Sequence, residues 1–214
     1  MPELDGPRWG PKDAPVRQLV VLCHGVGADG HDLIDLAPSW ATALPHAVFA
    51  APDGPEPYDM APMGRQWFSL TDRTPARLEA GIAVAAPSLD RFIDTELARL
   101  DLPADAYALM GFSQGAMMAL YAGLRRAVPP RTILAFSGAL LAPESVASLA
   151  GRPPVLLVHG QDDAVVPVER SHQAEQTLRA AGLPVEALYC PGLGHGIDES
   201  GLSMGALFLQ RAFA

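Results

Sequence analysis

Short apolar runs alternate along the chain with longer segments in which apolar residues recur every three or four positions. The runs show no alternation with polar residues, which is typical of strands that are buried on both faces. Strands are therefore predicted at 17–23, 46–51, 105–110, 131–137, 153–160 and 184–190. Helices are predicted at 31–44, from about Pro75 onward, at 114–126, near 143–150, at 168–181 and at 203–213.

Three stretches depart from this regular alternation. Pro87 lies within the helix that begins near Pro75, and it should kink that helix or split it in two. Residues 52–74 are rich in proline and glycine, and they form a loop longer than an ordinary connection. Residues 1–16 are expected to be an irregular N-terminal extension.

The order of the elements predicts the fold class. Buried strands that alternate with helices indicate a mostly parallel sheet covered by helices on both faces, a doubly wound α/β fold. The 214 residues, of which 49% are hydrophobic, fit one domain with a substantial core. We therefore expect a single domain over 1–214 without a separate cap domain.

Charge and composition exclude several classes of partner. The net charge of −9 and the lack of a basic run disfavour nucleic acid and anionic lipid surfaces. No apolar run approaches the roughly 18 residues of a membrane span, and the first residues do not resemble a signal peptide. Cys23 and Cys190 stand far apart and are expected to be reduced thiols. These features favour a cytoplasmic protein.

The segment GFSQG, residues 111–115, follows a predicted strand and precedes a predicted helix. This is the G-x-S-x-G pattern in the strand–turn–helix context of a nucleophile elbow. The two glycines permit a sharp turn that holds the Ser113 hydroxyl clear of the sheet. Ser113 is thus the candidate nucleophile.

A serine nucleophile needs a histidine base and an acid that orients it. His195 follows the last strand in a glycine-rich loop and is the candidate base, whereas His172 lies in a predicted helix and His159 reads as a structural residue at a strand end. Asp162 and Asp163 follow the penultimate strand, and their position alone barely separates them as the candidate acid.

The acyl-transfer chemistry of such a serine also requires donors for an oxyanion. The backbone N–H of Gln114 is one candidate, because it follows the nucleophile, and Val26 in the early loop LCHGVGADG is the other. The glycines of that loop do not form a nucleotide-binding pattern.

Five segments together resemble the phospholipase/carboxylesterase family of α/β-hydrolases, which includes bacterial carboxylesterases and acyl-protein thioesterases. They are LCHGVGADG, GRQWFSL, GFSQGAMMAL, HGQDDAVVP and GLGHGI, and they occur in the family's order and spacing. The resemblance implies a triad of Ser113, Asp163 and His195, with oxyanion donors at Val26 and Gln114. The polar Gln161-Asp162 pair departs from the family pattern, and Ser69 favours the bacterial branch.

The resemblance implies hydrolysis of esters or thioesters through an acyl-enzyme, without a metal or cofactor. Met63, Trp67 and Phe68 are candidate substrate-binding residues that form an apolar wall beside the serine, although Trp67 and Phe68 equally fit the role of core anchors for the long loop. Short to medium acyl chains are expected. Alternatives are an acyl-protein thioesterase or a lysophospholipase, another hydrolase such as a peptidase or lactonase, and a non-catalytic ligand-binding protein. Exposed apolar loops are compatible with a homodimer.

Overall fold

A seven-stranded sheet forms the centre of the molecule, whose computed structural model describes residues 3–149 and 151–214. The strands lie in the order β1-β3-β2-β6-β7-β8-β9; only β1 is antiparallel to its neighbour, and β4 and β5 form a separate hairpin. The strands are β1 (Arg8–Trp9), β2 (Gln18–Cys23), β3 (Ala47–Ala50), β4 (Glu56–Pro57), β5 (Arg65–Gln66), β6 (Tyr107–Phe112), β7 (Ile133–Phe136), β8 (Val155–Gly160) and β9 (Val185–Cys190). The six predicted strands and the mostly parallel α/β architecture are confirmed.

Helices cover both faces of this sheet. They are α1 (Gly30–Ile34), α2 (Ala37–Ala41), α3 (Pro75–Arg99), α4 (Gln114–Arg125), α5 (Glu169–Ala180) and α6 (Glu199–Ala212), together with a 3₁₀ segment at Pro143–Ser148 in place of the helix predicted near 143–150. Ala150, the last residue of that prediction, lies outside the described residues. Helices α3, α4 and α5 pack in one apolar core and α1, α2 and α6 in the other.

Strand β6 shows why the apolar runs do not alternate. Tyr107 and Leu109 face the core beneath α3, α4 and α5, whereas Ala108 and Met110 face the core on the other side. Each residue along the strand is removed from water, so both faces require apolar side chains.

Prolines bear on two of the predicted helices. The helix predicted at 31–44 is two short helices, α1 and α2, and Pro38 lies in the first turn of α2, where its missing N–H costs nothing. Pro87 lies inside α3 but does not split it. Buried Ile82, Leu89 and Ile93 on either side of Pro87 pack in the core and hold the helix together across it.

The two ends of the chain are more regular than predicted. Arg8–Trp9 forms β1 by pairing with β3, so the extension at 1–16 is not wholly irregular; Met1 and Pro2 lie outside the described residues. Helix α6 begins at Glu199 rather than 203, because Asp198 caps it by accepting a hydrogen bond from Gly201.

A partly buried ion pair, in which Glu96 is buried and Arg8 is exposed, attaches the N-terminal strand to α3. Arg8 donates hydrogen bonds of 2.8 and 3.1 Å to Glu96, which also accepts from Arg99. Burial alone would raise the pKa of Glu96, but the hydrogen bonds from the two arginines outweigh it and hold that pKa below its ordinary value. The Glu96 carboxylate therefore stays charged in a nearly inaccessible position.

Candidate active site

Ser113 lies at a sharp turn between β6 and α4. Its φ of 55° is in the left-handed region, which is unfavourable for a residue with a side chain. A Cβ atom at Gly111 would come within 2.1 Å of the Gly115 carbonyl oxygen, and one at Gly115 within 1.8 Å of the Cys23 oxygen. Only glycine fits at these two positions, so GFSQG permits the sharp turn that places the largely buried Ser113 at the carboxyl end of the sheet.

His195 reaches this hydroxyl from the loop after β9. Its Nε2 lies 3.0 Å from Ser113 Oγ, although 82 residues separate the two in the chain. The imidazole packs against Phe112, the residue before the serine, with ring centroids 4.9 Å apart. The contact fixes the ring laterally, so that Nε2 is in position to accept the serine proton.

Asp163 occupies the other side of the imidazole. Its Oδ2 lies 2.6 Å from His195 Nδ1, and its Oδ1 accepts hydrogen bonds of 2.8 and 2.9 Å from the backbone N–H groups of Val165 and Val166. Asp162 is exposed to solvent instead. Of the two aspartates that the sequence left open, the structure thus brings Asp163 to the histidine.

The Asp163 carboxylate is charged despite its burial. Burial alone would raise its pKa, but the hydrogen bonds from His195, Val166 and Val165 lower the pKa below the ordinary value. A negative charge at this point holds hydrogen on Nδ1 and leaves Nε2 free to act as a base.

His159 lies behind Asp163, at the end of β8. It is fully buried, its Nε2 lies 2.8 Å from the Val166 carbonyl oxygen and 3.2 Å from Asp163 Oδ2, and its Nδ1 lies 2.6 Å from Ser171 Oγ. The sequence indicated only a structural residue at a strand end, since nothing in it shows that the turn folds back onto this ring.

The two residues predicted to bind an oxyanion belong to segments that meet at Ser113. Gln114 is the first residue of α4, where backbone N–H groups have no partner within the helix. The loop that carries Val26 packs closely on the nucleophile turn, since a Cβ at Gly25 would lie 3.4 Å from the Ser113 Cβ. The nucleophile turn and the early glycine-rich loop are therefore packed together.

A buried hydrogen-bond network connects these two segments. The Gln114 side chain accepts from Trp67 N–H at 2.9 Å and donates to the Phe68 carbonyl at 2.6 Å. The Trp67 indole donates to the His24 carbonyl at 2.9 Å, and His24 Nε2 accepts from Gly54 N–H. Burial lowers the pKa of His24, which fits this accepting role.

His24 is a residue that sequence reasoning missed. Its position directly before the glycines of the early loop was the one available signal. Its Nδ1–H donates to the Gly25 carbonyl at 2.7 Å, so the ring fixes the backbone that leads to Val26.

The three predicted substrate-binding residues differ in their exposure to solvent. Trp67 and Phe68 are only 1% and 3% exposed and lie in the core, as expected of anchors for the long loop. Met63 lies between β4 and β5 and is 80% exposed. The hairpin adjoins the Val26 loop through hydrogen bonds from Gly27 to Arg65 and from Arg65 to Ala28.

An apolar cavity opens beside the nucleophile helix and the Asp163 turn. Its volume is about 480 Å³. Its apolar lining includes Met117, Leu140, Leu141, Val165, Val166 and Ala174. Met117 follows Ser113 by one helical turn, and its N–H donates to the serine carbonyl. The cavity therefore begins one helical turn from the nucleophile, and neither Ser113 nor His195 lines it.

Residues 3–149 and 151–214 contain neither a metal-binding cluster nor a membrane-spanning helix. Within them, no cluster of three or more histidine, cysteine, aspartate or glutamate side chains is arranged to hold a metal ion. No helix in the same part of the chain has the length and apolar character needed to cross a membrane. Cys23 and Cys190 are both free and buried.

Comparison with known proteins places this geometry in context. Residues 7–212 match the Phospholipase/Carboxylesterase family. The chain is 31% identical over 187 residues to esterase YpfH of Escherichia coli, covering 87% of this chain and 79% of that protein. It is 27% identical over 210 residues to acyl-protein thioesterase 1 of Gibberella zeae, covering 90% and 89%.

A solved structure is similar over nearly the whole chain. The crystal structure of esterase PE8 is 40% identical, covers 98% of this chain with 99% of its own, and superposes with a TM-score of 0.93. The chain belongs to the phospholipase/carboxylesterase family and is a serine hydrolase of the carboxylesterase and thioesterase type.

Proposed function

We propose that the protein is a carboxylesterase in which Ser113 is the nucleophile, His195 the general base and Asp163 the orienting acid. One observation carries the proposal: Ser113 Oγ, the two imidazole nitrogens of His195 and Asp163 Oδ2 form a continuous chain of contacts at 3.0 and 2.6 Å. The same order of groups activates serine in unrelated hydrolases.

The reaction proceeds in two steps through an acyl-enzyme. His195 takes the proton of Ser113 as the oxygen attacks the ester carbonyl, and the imidazolium then protonates the departing alcohol. Water, deprotonated by the same ring, attacks the acyl-serine. The bond between the acyl carbon and Ser113 Oγ then breaks, the imidazolium returns its proton to Oγ, and the carboxylic acid leaves. Asp163 stays charged throughout and stabilises the imidazolium.

The amides of Gln114 and Val26 bind the oxyanion of each tetrahedral intermediate in this proposal. Gln114 is the better supported, since the N–H of the first residue of α4 is directed away from the helix. Val26 depends on a loop that His24 and Gly25 hold against the serine.

The cavity beside Met117 favours substrates whose acyl chain is uncharged and of short to medium length. Its lining is largely apolar, and the formal charges of its two arginines and two glutamates sum to zero. These are Arg73, Glu79, Glu144 and Arg170. Met63, on the exposed hairpin, is proposed to contact the substrate outside this cavity, whereas Trp67 and Phe68 act from the core.

Hydrolysis of p-nitrophenyl esters tests the assignment. Ser113→Ala, His195→Ala and Asp163→Asn should each lower kcat by about 10³-fold or more. Asp162→Asn is the matched control and should hydrolyse the ester like the wild type. Equal activity of the wild type and Ser113→Ala, or loss of activity in Asp162→Asn alone, contradicts the assignment.

The leaving group is the second question. The acyl-protein thioesterase among the relatives favours thioesters as an alternative, and a lysophospholipid is a further candidate. Oxygen and sulfur esters of the same acyl chain, compared by kcat/KM, separate these activities. A homodimer and a cytoplasmic location stay predictions, and light scattering of the purified protein tests the first.

A further inference from the structure

Two sets of hydrogen bonds hold the turn that carries Asp163 in place. Its carboxylate accepts the N–H groups of Val165 and Val166, so the turn is closed from within. The Val166 carbonyl, on the opposite side of the same peptide chain, accepts from His159. The ring of His159 thus attaches the turn to the end of β8.

The partners of His159 determine where its hydrogen lies. The Val166 carbonyl can only accept, so Nε2 at 2.8 Å must carry the hydrogen. The same N–H lies 3.2 Å from Asp163 Oδ2, the oxygen that also faces His195. The positive end of this N–H dipole therefore faces Asp163 Oδ2, in addition to the N–H of His195 Nδ1.

Ser171 supports the ring from behind. Its hydroxyl lies 2.6 Å from His159 Nδ1, and with hydrogen on Nε2 the hydroxyl is the donor. Ser171 is itself buried in the first turns of α5. The ring is consequently held from both edges, and it cannot rotate without breaking a buried hydrogen bond.

We propose that His159 is a positioning residue of the hydrolase, which holds the Asp163 carboxylate in register with His195; this rests on the proposed function, in which Asp163 is the acid. His159 does not itself line the cavity, and its side-chain contacts are with Val166, Asp163 and Ser171 rather than with the serine. Its loss should allow the turn at 163–166 to shift, which lengthens the contact of 2.6 Å between Asp163 and His195. A displacement of about 1 Å at an active site lowers the reaction rate on the order of 10²-fold.

Two variants with amide side chains of different length distinguish a positioning role of His159 from a role in core packing alone. In His159→Gln the side-chain nitrogen extends about as far as imidazole Nε2 and can still donate to Val166, whereas in His159→Asn it stops near the position of Nδ1. His172→Gln is the control, because His172 is an exposed histidine on α5. Each variant is assayed for kcat and KM with a p-nitrophenyl ester and for the low-field NMR signal of the His195 Nδ1 hydrogen, assigned by its loss in His195→Ala.

The expected result is a kcat about 10- to 100-fold lower in His159→Asn, with unchanged KM and an upfield shift of the low-field signal. His159→Gln and His172→Gln should stay within about threefold of the wild type. Wild-type kcat and signal in His159→Asn overturn the proposal, as does an equal loss in both amide variants with the signal unmoved.

If His159→Asn fails to fold, Ser171→Ala replaces it, because that change removes only the hydroxyl behind the ring. A smaller fall in kcat with the same shift of the signal is then expected, and no change in either overturns the proposal. Asp163→Asn keeps the two hypotheses apart. An active Asp163→Asn contradicts the proposed function, whereas a crippled Asp163→Asn beside unaffected His159 variants contradicts this inference alone.

Discussion

The side-chain oxygen of Gln114 accepts a 2.9 Å hydrogen bond from the backbone N–H of Trp67, although 47 residues separate them. The same side chain donates to Phe68, so one glutamine anchors the long loop to the first turn of the nucleophile helix. The loop in turn reaches His24 through the indole of Trp67. Both proposed oxyanion donors therefore depend on one buried network.

Replacing Gln114 by methionine tests this network. The backbone N–H of residue 114 stays, but the Trp67 N–H and the Phe68 carbonyl lose their partner, at about 1–3 kcal/mol for each buried group. We expect urea unfolding at lower concentration and a fall in kcat of about tenfold or more. Gln176→Met, at an exposed position of α5, should change neither quantity. Unaltered stability of Gln114→Met contradicts the network's importance.

Glu96 provides a test by pH. Its pKa is lowered in the folded protein, so the charged carboxylate stabilises the fold above the ordinary value of 4.5, and this contribution is lost as the pH falls through the lowered pKa. Glu96→Gln should therefore melt at a lower temperature than the wild type at pH 7.

The difference in melting temperature should shrink below about pH 4, as the wild-type carboxyl takes up its proton. Glu186→Gln is the control, since its ion pair with Arg211 is exposed and contributes little. A difference between the wild type and Glu96→Gln that is constant from pH 7 to pH 3 contradicts this explanation.

Gly115→Ala probes the tightness of the nucleophile turn. The added methyl group would meet the Cys23 carbonyl at 1.8 Å, and backbone cannot yield as a flexible side chain does. We expect destabilisation of about 3 kcal/mol or more and loss of esterase activity. Gly196→Ala is the comparison, because nothing lies within 4 Å of a Cβ there. A fully stable and active Gly115→Ala is incompatible with the described geometry.

A larger side chain on α5 should narrow the cavity beside Met117. Ala174 is buried in α5 and lines the cavity, so Ala174→Leu should exclude the end of longer acyl chains. Each excluded methylene removes about 0.8 kcal/mol of binding, roughly fourfold in kcat/KM. Octanoate esters should lose activity while acetate esters keep it, and Ala180→Leu, at an exposed position of the same helix, should affect neither. A uniform loss for all chain lengths places the acyl group elsewhere.

The local patterns predicted six of the seven strands of the central sheet, because each of these six is recognisable from its own apolar residues, whereas the two-residue β1 was not predicted. They also singled out Ser113 and His195, since a nucleophile elbow and a histidine after the last strand are separate local signals. Asp162 and Asp163 could not be separated by position, because the choice depends on which carboxylate turns inward. That direction follows from hydrogen bonds made by the turn itself.

Contacts between segments that are far apart in the chain could not be predicted from local sequence patterns. The pairing of Arg8 with Glu96 joins residues 88 apart, and neither has a sequence signal that names the other. The same holds for the hydrogen bond from Trp67 to His24, which depends on how the long loop folds back over the sheet. Such contacts follow from the finished packing of the domain, which single-chain periodicity does not contain.

The three residues that meet at the site are carried on the ends of β6, β8 and β9, and the ladder of parallel strands sets the spacing between them. Loops elsewhere on the molecule can therefore grow or shorten during evolution without moving the reacting atoms. Accessory segments that choose among substrates can diverge at the periphery while the chemistry stays constant. This division of labour explains how enzymes that share less than a third of their residues can retain one scaffold for ester cleavage.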